Sequence, residues 1–472
     1  MNSFFTIVLL VALSSIMSLS YGQWPKHLID TYIYRPAIVH GGDIDGDSDP
    51  DAAVTAYSVP GGVFWYENNL PTGWNKYTID ATFWGAVGVF VADIDGDDTL
   101  DVVAAAGGST DEVVWYENRG GTPITWEKYT IDDYLDEAQV VYVADIDGDN
   151  DPDVAATATA ANDVVWYENN LPTGWNKYTI DETFLGALGV FVADIDADND
   201  SDVVATGSVA DDVVWYENRG GTPISWSKYT IDDNLDGAWW VDVVDIDGDT
   251  DLDVFAIGSD ANDVVWYENS GGAPVSWTKH IIDPNLGGAF VVDFADIDLD
   301  SDLDLVATGF TADMVVWYEN EGGVRINWSS AQIIDANLNG ANTVFAADID
   351  GNINPDVFAT GTYANQVVWY ENPVVGIKRL QEIVPAGWSL LQNYPNPFNP
   401  TTAIEFSIPK SEFVTLKVYN TLGEKVATLV SDRLTVGSYS YQWDASNLAS
   451  GVYLYRLQAG DYIETRRMIL MR

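Results

Sequence analysis

The 472-residue chain contains no cysteine and three histidines, His27, His40 and His280. Without thiols there is no disulfide framework, no thiolate metal site and no cysteine nucleophile. Zn²⁺ likewise lacks its usual nitrogen and sulfur ligands. His27 and His280 stand where sister segments carry Tyr77, Tyr129, Tyr178 and Tyr229, so both read as strand packing residues. Positive charge is scarce too: 20 Lys+Arg face 73 Asp+Glu, a net charge of −53. Residues 23–372 hold 10 Lys+Arg against 65 Asp+Glu (−55), and residues 373–472 hold 10 against 8 (+2), which together make −53. So acidic a surface repels nucleic acid and anionic membranes and attracts metal cations. Sustained helical periodicity is also missing.

Long apolar runs are absent but for residues 4–19 (FFTIVLLVALSSIMSL), which precede Ser20-Tyr21-Gly22. The run falls short of the roughly 20 apolar residues a membrane span needs. Residues 1–22 therefore read as a secretory signal peptide cleaved after Gly22, although no Lys or Arg precedes the run. The mature chain is expected to be soluble and exported, with no transmembrane segment.

What the sequence has in abundance is one acidic nonapeptide, written seven times at a spacing of 49 to 52 residues. The copies are DIDGDSDPD (43–51), DIDGDDTLD (93–101), DIDGDNDPD (145–153), DIDADNDSD (194–202), DIDGDTDLD (245–253), DIDLDSDLD (296–304) and DIDGNINPD (348–356). They supply 33 of the 65 acids of residues 23–372. A period near 50 residues points to a circular or solenoid repeat.

Each unit reads as short β-branched and aromatic segments separated by Gly, Pro and Asp turns, the pattern of antiparallel strands. In residues 87–132 the segments are VGVFVA, DVVAAAG, VVWYEN and WEKYTID. Seven such units predict an all-β, seven-bladed β-propeller over residues 23–372, whose radial closure hides sheet edges. An open solenoid is the competing arrangement. It leaves one observation unexplained: no W-x-K-x-x-I-D segment follows the last WYEN copy, but WPKHLID (24–30) stands orphaned before the first unit. That strand is expected to complete the last blade. The Trp and Tyr of the WYEN copies read as blade core. Their glutamates (Glu67, Glu117, Glu168, Glu217, Glu268, Glu319, Glu371) are expected to brace the acidic loops.

Carboxylates at alternating positions of a tight loop are how Ca²⁺ gathers six or seven oxygens. Positions 1, 3, 5 and 9 are Asp43, Asp45, Asp47 and Asp51 in the first loop, and Asp93, Asp95, Asp97 and Asp101 in the second. The third and fourth have Asp145, Asp147, Asp149, Asp153 and Asp194, Asp196, Asp198, Asp202. The remaining three have Asp245, Asp247, Asp249, Asp253; Asp296, Asp298, Asp300, Asp304; and Asp348, Asp350, Asn352, Asp356. Up to seven structural Ca²⁺ ions are expected, the weakest at the last loop with Asn352 and Asn354. Gly at position 4 eases the bend. Ala197 and Leu299 replace it, so those two loops are expected to bend differently. Strands flank the loops and no Glu stands at position 12, which excludes an EF-hand.

These strings and their placement resemble the FG-GAP/VCBS-type repeats of seven-bladed propellers, including the integrin α-subunit head, over residues 24–372. The resemblance implies Ca²⁺ ligands at positions 1, 3, 5 and 9, and a use in adhesion and extracellular recognition. The family also decorates some polysaccharide-active enzymes. Further on, LLQNYPNPFNPTTAIEFSIP (390–409), VTLKVYNTLGEKVATLV (414–430), GSYSYQWDASNLASGVYLYRLQAG (437–460) and ETRRMILMR (464–472) look very like a type IX secretion C-terminal sorting domain of type A. That resemblance implies engagement of the type IX machinery, passage through the outer membrane, and release or surface attachment. Alternating strands and Gly turns independently predict a small Ig-like β-sandwich over 386–472. Residues 373–385 read as the linker.

The leading expectation is a secreted or surface-attached, non-enzymatic module that binds a glycan or an extracellular protein. Its binding face would lie opposite the acidic loops, where the turns at 58–62, 108–112, 159–163, 208–212, 259–263, 310–314 and 362–366 vary. Trp84, Trp239 and Trp240 break the repeat there and are candidates for stacking on sugars or for packing. The alternatives are a polysaccharide lyase or hydrolase, or a surface-layer or matrix component. An enzyme would need a set outside the repeat. His40, Asp242 and Asp293 form one, each three residues before an acidic loop where other blades carry Phe or Tyr.

Overall fold

The computed structural model describes residues 24–472 except 109, 273, 300–301, 323–325, 353, 374–376, 382–384, 386, 424, 435, 446–447, 461 and 472. The expected signal segment 1–22 and Asp300 therefore lie outside the described residues. Among those described there is no helix, and hence none long and apolar enough to cross a membrane.

Seven four-stranded antiparallel sheets follow one another. The second blade is typical, with strands Ala86–Ala92, Asp101–Ala106, Glu112–Asn118 and Trp126–Asp132 running from the axis outward. Every residue of Asp101–Ala106 is buried, because blades pack on both of its faces. That is why this strand is a continuous Val/Ala run and not an alternating one. Exposure returns in Trp126–Asp132, where Lys128 and Glu127 face water. The WYEN tryptophans are sandwiched by outer-strand rings: Trp65 on Tyr77, Trp115 on Tyr129 and Trp166 on Tyr178 at 4.7–4.9 Å. His27 and His280 take the same place against Trp369 and Trp266, at 4.3 and 4.4 Å. They are packing residues, as their positions in the repeat implied.

The innermost strands touch in cyclic order, and Ala341–Ala347 of the seventh blade meets Pro36–Gly42 of the first. The N-terminal strand Lys26–Asp30 pairs antiparallel with Gln366–Tyr370 and completes the seventh blade. The structure is thus a closed ring.

A latch joins neighbouring blades. Each WYEN tyrosine donates its hydroxyl to the Asp that ends the preceding outer strand, from Tyr66 to Asp30 (2.9 Å) round to Tyr370 to Asp335 (2.7 Å). Lysines of the following outer strand join most of these pairs, among them Lys76–Asp30 at 2.6 Å and the ring-closing Lys26–Asp335 at 2.9 Å. Burial alone would raise the Asp30 carboxyl. Lys76, the Tyr32 N–H and the Tyr66 hydroxyl outweigh it and hold the group below its ordinary value. In the sixth blade Trp317 pairs with Gln332 as Trp115 pairs with Tyr129, which puts Ala331 at the lysine position, and Tyr318 meets Asp283 at 2.8 Å.

The C-terminal unit is a two-sheet sandwich. One sheet orders strands Ile377–Gln381, Gly437–Asp444, Thr401–Ile408 and Ser389–Leu390; the other orders Lys425–Leu434, Glu412–Tyr419, Gly451–Ala459 and Tyr462–Leu470. Phe406, Val418, Tyr455 and Met468 lie in their shared core. One expectation needs correction here. The span 373–385 is not simply a linker, because Ile377–Gln381 pairs with Gly437–Asp444. The open edge of that sheet offers unpaired backbone groups, and the preceding segment satisfies them.

Candidate metal centres

Every acidic string forms the turn between the innermost and second strands of its blade, so all seven lie on one rim. The position-1 aspartate organises the turn. In the second loop Asp93 Oδ1 accepts the Gly96 and Asp97 N–H groups (2.9 and 3.1 Å), and Oδ2 accepts that of Asp98 (2.9 Å). Asp145 and Asp245 repeat the pattern. These bonds need a left-handed residue at position 4, and Gly46, Gly96, Gly148, Gly248 and Gly351 have φ of 72–79°.

Ala197 and Leu299 adopt φ of 60° and 63°, so their loops bend like the others. The expectation of a different bend fails because the aspartate-to-amide bonds dictate the turn whatever occupies position 4. An L side chain there is strained by about 1 kcal/mol. Ala197→Gly and Leu299→Gly should therefore each raise stability by about 1 kcal/mol in a denaturant titration, and a loss of stability would contradict this account.

Position 9 is fully buried and accepts two backbone amides. Asp101 takes the Ile94 N–H at 3.1 Å and the Asn118 N–H at 2.7 Å, and Asp51, Asp153, Asp202, Asp253, Asp304 and Asp356 do the same in their blades. Burial pushes the Asp101 carboxyl up to about 7 and those of Asp51 and Asp356 to about 8, against these donors. Each position-9 aspartate thus pins its loop to the blade as well as facing it.

Carboxylate oxygens converge within 4.8 Å of one another in Asp43/Asp45/Asp47, Asp93/Asp95/Asp101, Asp145/Asp147/Asp153 and Asp194/Asp196/Asp202. Asp43 Oδ1 and Asp196 Oδ1 are buried without a hydrogen-bond partner. Burial, then Asp198 and Glu217, pushes Asp196 up to about 6. Oxygens this close and this short of donors fit a hard cation, and an all-oxygen set with a flexible loop fits Ca²⁺ better than Mg²⁺. In the seventh loop Asn352 keeps the local pattern, its N–H reaching Asp348 at 2.8 Å and its side-chain oxygen accepting the Asn354 N–H at 2.7 Å.

The WYEN glutamates mostly do not brace the loops. Glu67 accepts from Asn75 and Tyr77, and Glu168 from Asn176 and Tyr178, all on the outer strand (2.9–3.0 Å). Glu268 and Glu371 bind His280 and His27. At the third strand's end the outer strand is nearer than the loop, although Glu217 gathers with the loop carboxylates Asp196 and Asp198, and Glu117 reaches Asp95. The WYEN asparagine was the residue missed. Asn118 donates its N–H to Asp101 and its side-chain amide to the Ile44 carbonyl of the preceding loop (3.0 Å). Asn169, Asn218, Asn269 and Asn372 do likewise, and Asn68 closes the ring onto Ile349 at 2.8 Å. Its recurrence at a strand end, where packing needs no amide, was the available signal.

His40, Asp242 and Asp293, from three different blades, do meet: all line one cavity of about 230 Å³ on the ring axis. Trp240 lies in the channel, Trp239 packs on Phe290, and Trp84 is 43% exposed on the opposite rim.

Residues 43–104, 194–256 and 245–307 match the FG-GAP-like repeat, and residues 392–471 match the secretion system C-terminal sorting domain. The chain carries FG-GAP-like repeats and a secretion tail. The tail assigns the FG-GAP-like propeller to type IX export, to the cell surface or beyond. No curated protein matches the sequence. Solved structures similar to the propeller include BBS1N in complex with ARL6DN, 10% identical with TM-score 0.48, covering 75% of this chain and 97% of that one. AofleA from Arthrobotrys oligospora is 12% identical with TM-score 0.40, covering 65% and 90%. PorZ, a surface component of the type-IX secretion system of Porphyromonas gingivalis, is 11% identical with TM-score 0.34, covering 89% and 69%.

Proposed function

We propose that this exported propeller is a calcium-stabilised, non-enzymatic recognition module that binds glycans on the rim opposite the acidic loops. When bound, Ca²⁺ neutralises the clustered carboxylates; the residues that hold it are those at positions 1, 3, 5 and 9. The observation that carries the recognition reading is a track of aromatic rings. Trp239 lies 4.8 Å from Phe290, Phe290 is 5.2 Å from Phe310, and Phe310 is 5.2 Å from Tyr363. The Arg35 guanidinium then covers Tyr363 at 5.4 Å. Backbone bonds from the Tyr57 N–H to Arg35 and from the Gly85 N–H to Tyr57 carry the track on to exposed Tyr57 and Trp84. Flat rings flanked by the Asn, Asp and Thr of neighbouring turns suit the apolar faces and hydroxyls of sugar rings. A catalytic reading of His40, Asp242 and Asp293 is less well supported. Asp293 accepts the Ala346 and Phe294 amides (2.7 and 2.8 Å), and the His40 ring is wedged between Phe90 and Phe345.

A glycan-array screen of the mature protein in calcium tests this. Binding should appear, and Tyr363→Ala and Trp84→Ala should each weaken it about tenfold or more. An array without hits, or hits untouched by both substitutions, would contradict the proposal. Release of reducing ends from a bound polysaccharide would favour the enzyme reading instead.

A further inference from the structure

At the middle of each innermost strand one side chain points to the ring axis: His40, Phe90, Tyr142, Phe191, Asp242, Asp293 and Phe345 in blade order. Five of them form a continuous arc. Phe345 lies 5.2 Å from His40, His40 is 4.4 Å from Phe90, Phe90 is 5.0 Å from Tyr142, and Tyr142 is 4.4 Å from Phe191. The two remaining blades interrupt the arc with adjacent carboxylates. Together these seven, with Trp240, bound the axial cavity of about 230 Å³. Trp240 also lines a second cavity of about 60 Å³, as do Ile38, Val140 and Val291, so these side chains lie between the two.

The carboxylates are not equivalent. Both oxygens of Asp293 accept backbone amides, from Phe294 and Ala346. Asp242 uses Oδ1 for the Val243 N–H at 2.8 Å, and its other oxygen has no hydrogen-bond partner among the described residues. A carboxylate oxygen that opens into a chamber walled mostly by carbon is costly unless something charged or hydrogen-bonding meets it. A bare metal ion is a poor match, because Ca²⁺ or Mg²⁺ seeks six or more oxygens and most of this wall is carbon. Aromatic faces opposite a carboxylate pair are the setting in which an ammonium with carbon substituents is held.

We propose that the axial chamber binds a small organic cation, an alkylammonium or methylated amine, its charge beside Asp242 and Asp293 and its carbon substituents against the aromatic arc. The volume lies below the roughly 300 Å³ at which drug-sized pockets begin, which limits the ligand to a compact amine. The propeller's charge of −55 draws cations toward the channel. The site uses none of the glycan-facing residues and goes beyond that reading. Its failure and the failure of glycan binding are therefore separate results.

Electrostatics supports the choice of ligand. Burial, then the Asp293 charge, raises the Asp242 carboxyl well above its ordinary value, and burial lifts Asp293 to about 6. Burial also holds His40 down at about 4, so it supplies no competing positive charge near neutrality. His40, Tyr142 and Asp293 are the titratable groups sharing the chamber with Asp242. A bound cation favours the ionised carboxylate, so affinity rises with pH from 5 to 8.

Calorimetric titration of the calcium-saturated mature protein with methylamine, tetramethylammonium and choline tests the site. The neutral carbon isostere of choline, 3,3-dimethylbutanol, is the control. At least one cation should bind with a stoichiometry of one, about tenfold or more tighter than the isostere, and tighter at pH 8 than at pH 5. Asp242→Asn should weaken it by about tenfold or more without moving the melting temperature of the calcium form. No saturable binding of any cation, equal binding of the neutral isostere, or an affinity that falls with rising pH would overturn the proposal. The isostere and pH comparisons need no variant and stand even if Asp242→Asn fails to fold.

Discussion

Chelating calcium with EGTA should lower the melting temperature of the exported protein by roughly 15 °C. Extracellular calcium modules bind at roughly 10⁻⁴–10⁻³ M. At about 1 mM calcium the tighter figure stabilises each site by about 1.4 kcal/mol, and seven sites by about 10 kcal/mol. Unfolding entropy of roughly 2 cal/mol/K per residue over the propeller converts that into the predicted shift. The asparagine bridges from six of the seven blades to the preceding loop spread the loss around the ring. The pH dependence gives the prediction a sign. Without metal, burial holds Asp51 and Asp356 at about 8 and Asp101, Asp153, Asp202 and Asp253 at about 7. The unfolded value is near 4. A carboxyl raised on folding contributes stability that is fully present below the unfolded value and lost as pH rises through the folded one. The EGTA-treated protein should therefore melt progressively lower from pH 5 to pH 8, while the calcium-loaded protein should not. A melting curve indifferent to EGTA at pH 8 would refute the stabilising role of the loops.

Deleting residues 24–30 abolishes cooperative melting of the propeller, the second large effect. The deletion strips Gln366–Tyr370 of its partner strand, breaks the Lys26–Asp335 bridge and uncovers Trp369, on which His27 stacks at 4.3 Å. It leaves the open sheet edge that closure had removed. A milder form isolates one side chain. Trp24 is only 4% exposed and packs among Trp317, Ile334 and Leu338, whereas its counterparts Trp126 and Trp175 are half-buried. Trp24→Ala should cost about 3–5 kcal/mol in a guanidinium titration, and Trp126→Ala distinctly less. Equal costs would mean that the N-terminal segment is an ornament on a ring already closed.

The repeat made the architecture readable. An orphaned outer strand before the first unit already implied its pairing with the last, and the off-pattern His40, Asp242 and Asp293 already implied a shared axis. The parts that escaped are contacts between blades. Tyr116 reads as core and Asp80 as a turn residue, and only the fold brings the two to 3.0 Å. Asn118 and Ile44, 74 positions apart, carry no mark of their bond in either segment. The WYEN glutamates were placed at the correct strand end, but the nearer partners there, Asn75 and Tyr77, belong to the outer strand. The bend at Ala197 and Leu299 was misjudged because side-chain propensity at position 4 was weighed without the amide bonds that override it. The aromatic track was legible in fragments, as Trp84 and Trp239, while Phe310, Tyr363 and Arg35 looked like ordinary turn residues until ring closure brought them into line.

The most direct measurement is an anomalous difference map from crystals of the mature protein grown in calcium. The account predicts peaks on one rim, at the turns headed by Asp43, Asp93, Asp145, Asp194, Asp245, Asp296 and Asp348, with carboxylate oxygens at roughly 2.3–2.6 Å. Acidic turns without an ion in saturating calcium would contradict it.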